Sequence, residues 1–438
     1  MLSNERIAEY CRQAAEQIRW KRARPAVMRE LEQHLQDQQE AYMEQGHGQE
    51  QAARMAIEQM GDAREVGQAL DWAHRPQTPW FLLLAMIAFL VLGAALQVAL
   101  TRQMAPLASY AVAAGLFALG YFGDISLLGK HAMEIYLGVL AFAAALLIGA
   151  EPVAGAAVFH LDPISLYLCY LALVFPVAYG LFLYGMKGLG ARGILLSVLG
   201  YLPFALILLM VPTLSGLLIY SASAGVMLAA AIRKNWFGAK QGRPALKIAA
   251  PVLLPAGALA VAFLSVGGAH LQVFLNPWQD AADTGLIYCR LRDAVAKAAF
   301  WGEGNADLSV IPDLSENYAL LYGIQKFGLG AFAALMLLVL AFGVFGIIRA
   351  MRQRSMLGTL LILAVALTVT LQAFAYAYAN LGYGLWDTLS FPFLSRGTTA
   401  LQLDALLLGL MLGALRTGAW VRDPQQPQRT IQLLRIER

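Results

Sequence analysis

Two patterns of hydrophobic and polar positions share this chain. Up to about residue 76, apolar side chains recur every three or four positions among charged ones; beyond it, long apolar runs are broken by short polar segments. In the first part Ile7, Cys11, Ala14 and Ile18 share one helical face behind a candidate cap at Ser3, and this helix is expected to end near Lys21. Pro25 suits a first helical position, and Val27, Leu31, Leu35 and Tyr42 mark a second stripe that runs to the Gly46-His47-Gly48 break. Met55, Ala56 and Met60 belong to a third helix closed by Gly61, and Asp62 with Glu65 forms a capping-box pattern before a fourth through Val66 and Leu70. Such short helices need each other's faces to be stable.

The second part has apolar runs near 80–100, 105–121, 132–150, 164–186, 193–211, 213–232, 247–268, 318–348, 357–380 and 398–415. Each is long enough to cross, or nearly cross, about 30 Å of hydrocarbon. The pattern predicts an all-α, polytopic membrane protein of about ten transmembrane helices. A helical domain at 1–76 precedes a membrane domain at 77–420, and a tail occupies 421–438. Inside the spans, Gly115, Gly200, Gly216 and Gly225 are expected to allow close helix packing.

Composition agrees with the bilayer as solvent: 59% of residues are hydrophobic, only 14% are charged, and the mean hydropathy is +0.58. Of the 60 charged residues, 23 lie before Gln77, so charge is concentrated in the first part. Arg233, Lys234, Lys240, Arg243 and Lys247 cluster in one loop and Arg349, Arg352 and Arg354 in another. An even number of spans separates them, which places both loops and both termini on the cytoplasmic side of a bacterial cell membrane. Residues 269–317 and 381–397 then lie outside. No apolar run follows a basic start, so no cleavable leader is expected, and three widely spaced cysteines suggest no disulfide framework. The six histidines show no metal-ligand spacing, and no phosphate-binding glycine loop or nucleic-acid stripe is present.

The nearly fifty residues of 269–317 form a connection long enough to carry function. They include FLNPWQD at Phe274 to Asp280, Gly285, WGEG at Trp301 to Gly304 and VIPDLSENYALLYGIQKFGLGAF at Val310 to Phe332. The second outer segment continues into FPFLSRGTTAL at Phe391 to Leu401. In order, spacing and topology these motifs resemble the FtsW/RodA/SpoVE (SEDS) family of cell shape, division and sporulation, the membrane-embedded peptidoglycan glycosyltransferases. Residues 5–73, through RPAVMRELEQHLQD and QGHGQEQAARMAIEQMGD, resemble the prefix domain found before permease-like proteins, either a regulatory or partner-docking module or a plain folding unit.

The resemblance implies an undecaprenyl-linked peptidoglycan precursor as ligand, a single-span class B penicillin-binding protein as partner, membrane lipid around the chain and no nucleic acid. Its chemistry asks for a carboxylate that activates an acceptor sugar hydroxyl. The family's catalytic aspartate, however, falls on Asn317, and an amide cannot act as a general base. Glu316 and Asp313 are the nearest substitute carboxylates, though Ser315 and Glu316 also fit an ordinary helix start. The candidate contacts to the anionic headgroup are Arg396, with Ser395 beside it in the matched signature, and Arg290, Arg292 and Lys297, with Trp278 and Asp280 at the loop entry. No cofactor is evident beyond a divalent cation accompanying the pyrophosphate. A divergent glycan polymerase and a noncatalytic scaffold or regulator of envelope or spore assembly both fit these motifs. A lipid or solute transporter fits the span count but not the outer motifs.

Overall fold

The computed structural model describes residues 2–19, 24–74, 79–101, 106–153, 156–161, 164–238, 244–265, 268–282, 285–312, 314, 317–384, 387, 389–395 and 398–417. The chain divides into two compact units, Met1–Gln77 and Thr78–Arg438.

The first unit has four helices, α1 (Leu2–Glu16), α2 (Arg24–Glu44), α3 (Gln49–Met60) and α4 (Ala63–His74). Their apolar stripes meet in one core of Ile7, Tyr10, Cys11, Ala14, Leu31 and Leu35 with Ala53, Ala56 and Ala63. Gly61 closes α3 at a φ of +93°, with its N–H on the Ile57 carbonyl at 3.3 Å. Asp62 then opens α4 by accepting from the N–H groups of Arg64 and Glu65 at 2.8 and 3.3 Å. Two long-range bonds join the first and last parts of this unit: Tyr10 Oη on α1 donates to the Gly61 carbonyl at 3.0 Å, and the Arg19 N–H after α1 to Asp71 Oδ1 on α4 at 2.8 Å. Ser3 differs from its expected place as a cap, since α1 already begins at Leu2 and ends at Glu16. Burial, with the Glu32 carboxylate adding to it, pushes the Cys11 thiol up to about 11.

The second unit carries seven helices long and apolar enough to span a bilayer, at 80–99, 168–185, 190–210, 214–233, 329–351, 356–383 and 398–417. Shorter apolar helices at 107–122, 132–148 and 246–262 fill the expected positions between them. In chain order the elements are α5 (Trp80–Thr101), α6 (Pro106–Phe122), the short α7 (Ile125–Lys130), α8 (Ala132–Ile148), α9 (Phe175–Gly185), α10 (Gly190–Met210), α11 (Leu214–Arg233) and α12 (Pro244–Ser265). After α13 (Gly268–Leu275), α14 (Leu286–Ala296) and α15 (Ala319–Phe327) come α16 (Leu329–Met351), α17 (Met356–Tyr378) and α18 (Thr398–Thr417). The protein is thus a polytopic, predominantly helical membrane protein.

Three local features depart from the sequence reading. Between α8 and α9 the chain forms an antiparallel sheet of β1 (Glu151–Val153), β2 (Ala156–Leu161) and β3 (Ile164–Tyr167), where a loop at 151–163 and the start of a span at 164 were expected. This stretch is too short for a span and rich in β-preferring residues, and the sheet buries Val158 at 1% exposure. The run predicted at 318–348 is two helices, because Gly328 adopts a φ of +92° between α15 and α16. Of the four intramembrane glycines, Gly200, Gly216 and Gly225 do face close neighbours, but a side chain at Gly115 would meet open space.

Helix α17 lies at the centre of the bundle, with every residue from Ser355 to Ala366 buried, as a helix apolar on all sides requires. Beside it Tyr179, Tyr201, Tyr220, Phe175 and Phe204 pack as an aromatic core, the rings of Tyr201 and Tyr220 stacked at 5.0 Å. Their hydroxyls find partners inside: Tyr201 with Ser221 Oγ at 2.6 Å, and Tyr179 and Tyr220 on the carbonyls of Ser197 and Tyr201.

Residues 1–77 expressed alone should give a helical circular-dichroism spectrum and one cooperative melt. Leu35 is fully buried, so Leu35→Ala should destabilise this unit by about 2–5 kcal/mol in urea titration. Because the Cys11 thiol stays protonated well above neutrality, an alkylating agent at pH 8 should modify it only after denaturation.

Candidate functional site

Around α15 and before α18 the helical backbone of the bundle is broken. A break inside hydrocarbon exposes amides and carbonyls that must find partners in the protein. The last turns of α17 and the π-helical turn that continues it (Ala379–Tyr383) supply them through Gln372, Tyr376 and Asn380, spaced four residues apart. Tyr376 Oη accepts from the Ala319 N–H at 3.0 Å and Asn380 Oδ1 from the Leu321 N–H at 3.1 Å. These are first-turn donors of α15, which has no side-chain cap of its own. Asn380 Nδ2 donates to the Asn317 and Tyr376 carbonyls at 3.1 and 2.9 Å.

One turn earlier, Gln372 Nε2 donates to Ser390 Oγ at 3.0 Å and to Asp404 Oδ2, on α18, at 3.2 Å. Ser390 belongs to the buried, non-helical segment 389–395 that leads into α18. There Phe393 takes a φ of +65°, its carbonyl accepts from Tyr110 Oη at 2.5 Å, and the Leu394 carbonyl accepts from Gln97 Nε2 at 2.6 Å. Ser395 is held inside the same turn, its Oγ accepting from the Phe391 N–H at 3.0 Å.

The long connection is a folded layer with its own core of Leu291, Ala294, Ile311 and Leu321. Its candidate cations are engaged as follows. Arg292 Nε and Nη2 donate to the Gly382 and Phe274 carbonyls, both at 2.9 Å, and the guanidinium lies 4.4 Å from the centre of the Tyr383 ring. Arg290 Nη1 donates to the Val310 carbonyl at 2.6 Å, and Lys297 pairs with Asp293 one helical turn away at 2.6 Å. Trp278 is 60% exposed on a 3₁₀ turn with Asp280, whose carbonyl accepts from the Gly285 N–H. Asn317 is half-buried behind Asn380. Asp313, Glu316 and Arg396 lie outside the described residues, as does the tail 421–438.

A groove of about 730 Å³ lies between α11, α12, α16 and α17. Its walls are apolar, with Ile219, Pro255, Leu259, Phe332, Met336 and Phe374 among them. Ala379 and Leu381, flanking Asn380, reach it, and so does Asp387. Among the described lining residues Asp387 is the one charged side chain. It is fixed at the start of α11: Oδ2 accepts from Thr213 Oγ1 at 2.6 Å, Oδ1 from the Ser215 N–H at 2.9 Å, and its carbonyl from Ser215 Oγ at 2.6 Å. Sequence reading passed over Asp387, although it is the only carboxylate in the 381–397 segment.

Gly382 sits at a φ of +81°, and a Cβ there would come within 2.7 Å of Arg292 Cγ and 3.2 Å of the Tyr288 carbonyl. Gly382→Ala should therefore cost about 1–3 kcal/mol. A lowered melting midpoint in detergent, with faster proteolysis within 285–312, is the expected outcome.

No family model and no curated protein matches the chain. Solved structures do. A chain from a study of how a peptidoglycan synthase complex coordinates polymerization and crosslinking is similar at 21% identity and a TM-score of 0.61, over 78% of this chain and 98% of that one. The rod shape determining protein RodA of Thermus thermophilus is similar at 19% identity and a TM-score of 0.54, over 78% and 97%. An aspartate-to-alanine variant of it gives 19% and 0.55, over 78% and 98%. The membrane unit of this chain therefore has the RodA fold.

Proposed function

We propose that this chain is a SEDS-like protein of bacterial cell-wall assembly that binds an undecaprenyl-linked peptidoglycan precursor in the groove between α11, α12, α16 and α17. One observation carries the reading: on a RodA fold, a groove of about 730 Å³ combines apolar walls for a polyprenyl chain with one polar end. The sequence motifs of the long connection and of 391–401 support the same ligand. Polymerisation of glycan strands is the activity this fold suggests, with a carboxylate other than the residue at 317 as its base.

In this reading both termini are cytoplasmic and residues 269–317 face outward, as the basic loops at 233–247 and 349–354 favour. The neighbour solved within a peptidoglycan synthase complex supports a penicillin-binding partner in the membrane. Arg396 is proposed to hold headgroup phosphate and the prefix unit to dock a cytoplasmic regulator. A divalent cation beside the pyrophosphate is the one cofactor proposed. Among the described residues no three His, Cys, Asp or Glu side chains come together, so such a cation would take its ligands mainly from phosphate and water.

Two measurements test this. A cysteine placed at Gln279 should react with an impermeant reagent from outside while one at Gln241 stays unlabelled; the reverse pattern would invert the topology. Ala222→Trp should fill the groove and weaken binding of purified undecaprenyl-linked precursor by about tenfold or more, or 1.4 kcal/mol. Unchanged affinity would remove the groove from the proposal.

A further inference from the structure

We infer that Asp387 is the general base of the glycosyl transfer, replacing the carboxylate absent at Asn317. The inference rests on the reading of the groove as the precursor site. Asn317 is unsuited on two counts: an amide cannot take up the proton, and its carbonyl is held by Asn380, outside the groove lining. Asp387 reaches the groove, is exposed there, and is the sole charged side chain among the described residues that line it.

Its geometry suits a positioned base. The Ser215 hydroxyl fixes the Asp387 carbonyl, while Thr213 Oγ1 and the Ser215 N–H each take one lone pair of the carboxylate. A carboxylate offers about four acceptor sites, so each oxygen keeps one for a substrate hydroxyl. Thr213 and Ser215 belong to the start of α11, whose following turns form one wall of the groove through Leu218 and Ile219. A lipid chain lying along that wall would bring its headgroup towards the carboxylate.

The step balances without an oxidant or reductant. The acceptor sugar hydroxyl of one lipid-linked disaccharide loses its proton to an Asp387 oxygen and attacks the anomeric carbon of a second. A carbon–oxygen glycosidic bond forms as the bond from that carbon to the pyrophosphate oxygen breaks. Undecaprenyl pyrophosphate leaves with the electron pair, and Asp387 returns its proton to water.

Asp387→Asn separates a base from a structural tie. Asparagine can still accept from the Ser215 N–H through Oδ1 and donate to Thr213 Oγ1 through Nδ2, so a merely structural Asp387 should tolerate it. The experiment uses full-length protein in detergent with purified lipid-linked disaccharide, scoring precursor binding and glycan-strand formation separately, beside Asp387→Glu. The expected result is unchanged binding by Asp387→Asn with a rate about 10²–10⁴-fold lower, and partial activity in Asp387→Glu. Full rate in the asparagine variant would overturn the inference, as would a wild type that binds precursor but forms no strands. Recovery of the asparagine variant by excess magnesium would also overturn it, pointing to a metal ligand. A wild type that fails to bind would defeat the groove reading itself, and the base with it.

Discussion

An amide or carbonyl without a partner in hydrocarbon costs several kcal/mol, and that penalty organises the part of the membrane unit where its helices break. The chain breaks its helices before α15 and before α18. Both breaks are served by one stretch of chain: Gln372 and Tyr376 on α17 and Asn380 in the π-helical turn that follows it. Because α17 is buried at every residue from Ser355 to Ala366, it is a fixed reference. The long connection, the buried 389–395 segment and α18 are located against it rather than against solvent.

The same stretch explains what a sequence can and cannot show. Ten spans are legible because transfer into hydrocarbon is summed residue by residue, and a long apolar run needs no tertiary context to be favourable. Gln372, Tyr376 and Asn380 are isolated polar residues at the end of such a run, and only the breaks they serve give them meaning. Gly328 could be a helix glycine or a break, and its positive φ decides it. The 151–167 sheet was hidden for another reason: its short strands carry less pattern than the spans on either side. Asp387 was readable as a lone carboxylate, but its role depends on Thr213 and Ser215, more than 170 residues away in sequence.

The positively charged side chains show how position qualifies charge. Arg292 fits the description of a phosphate ligand by type and by loop, yet two of its donors hold backbone carbonyls from α13 and the turn after α17. It joins the layer formed by the long connection to the bundle. Lys297 and Asp293 form an i,i+4 pair with both side chains about half exposed, an arrangement worth a few tenths of a kcal/mol. The groove is correspondingly apolar, with its one charged lining residue among those described being Asp387.

Fold and chemistry therefore impose separate demands on this sequence. The fold needs donors and acceptors where helices break, and amides, hydroxyls and backbone groups satisfy that need without any ionisable residue at 317. Asn317 contributes its carbonyl to the arrangement, and every residue type has one. Nothing in the packing of α15 against α17 then preserves a carboxylate at that position. A RodA fold can persist at 19–21% identity while the reacting group changes or moves, since the site is grafted on the scaffold rather than required by it. Asp387, by contrast, stands at the groove with its carbonyl and both carboxylate oxygens held by Thr213 and Ser215.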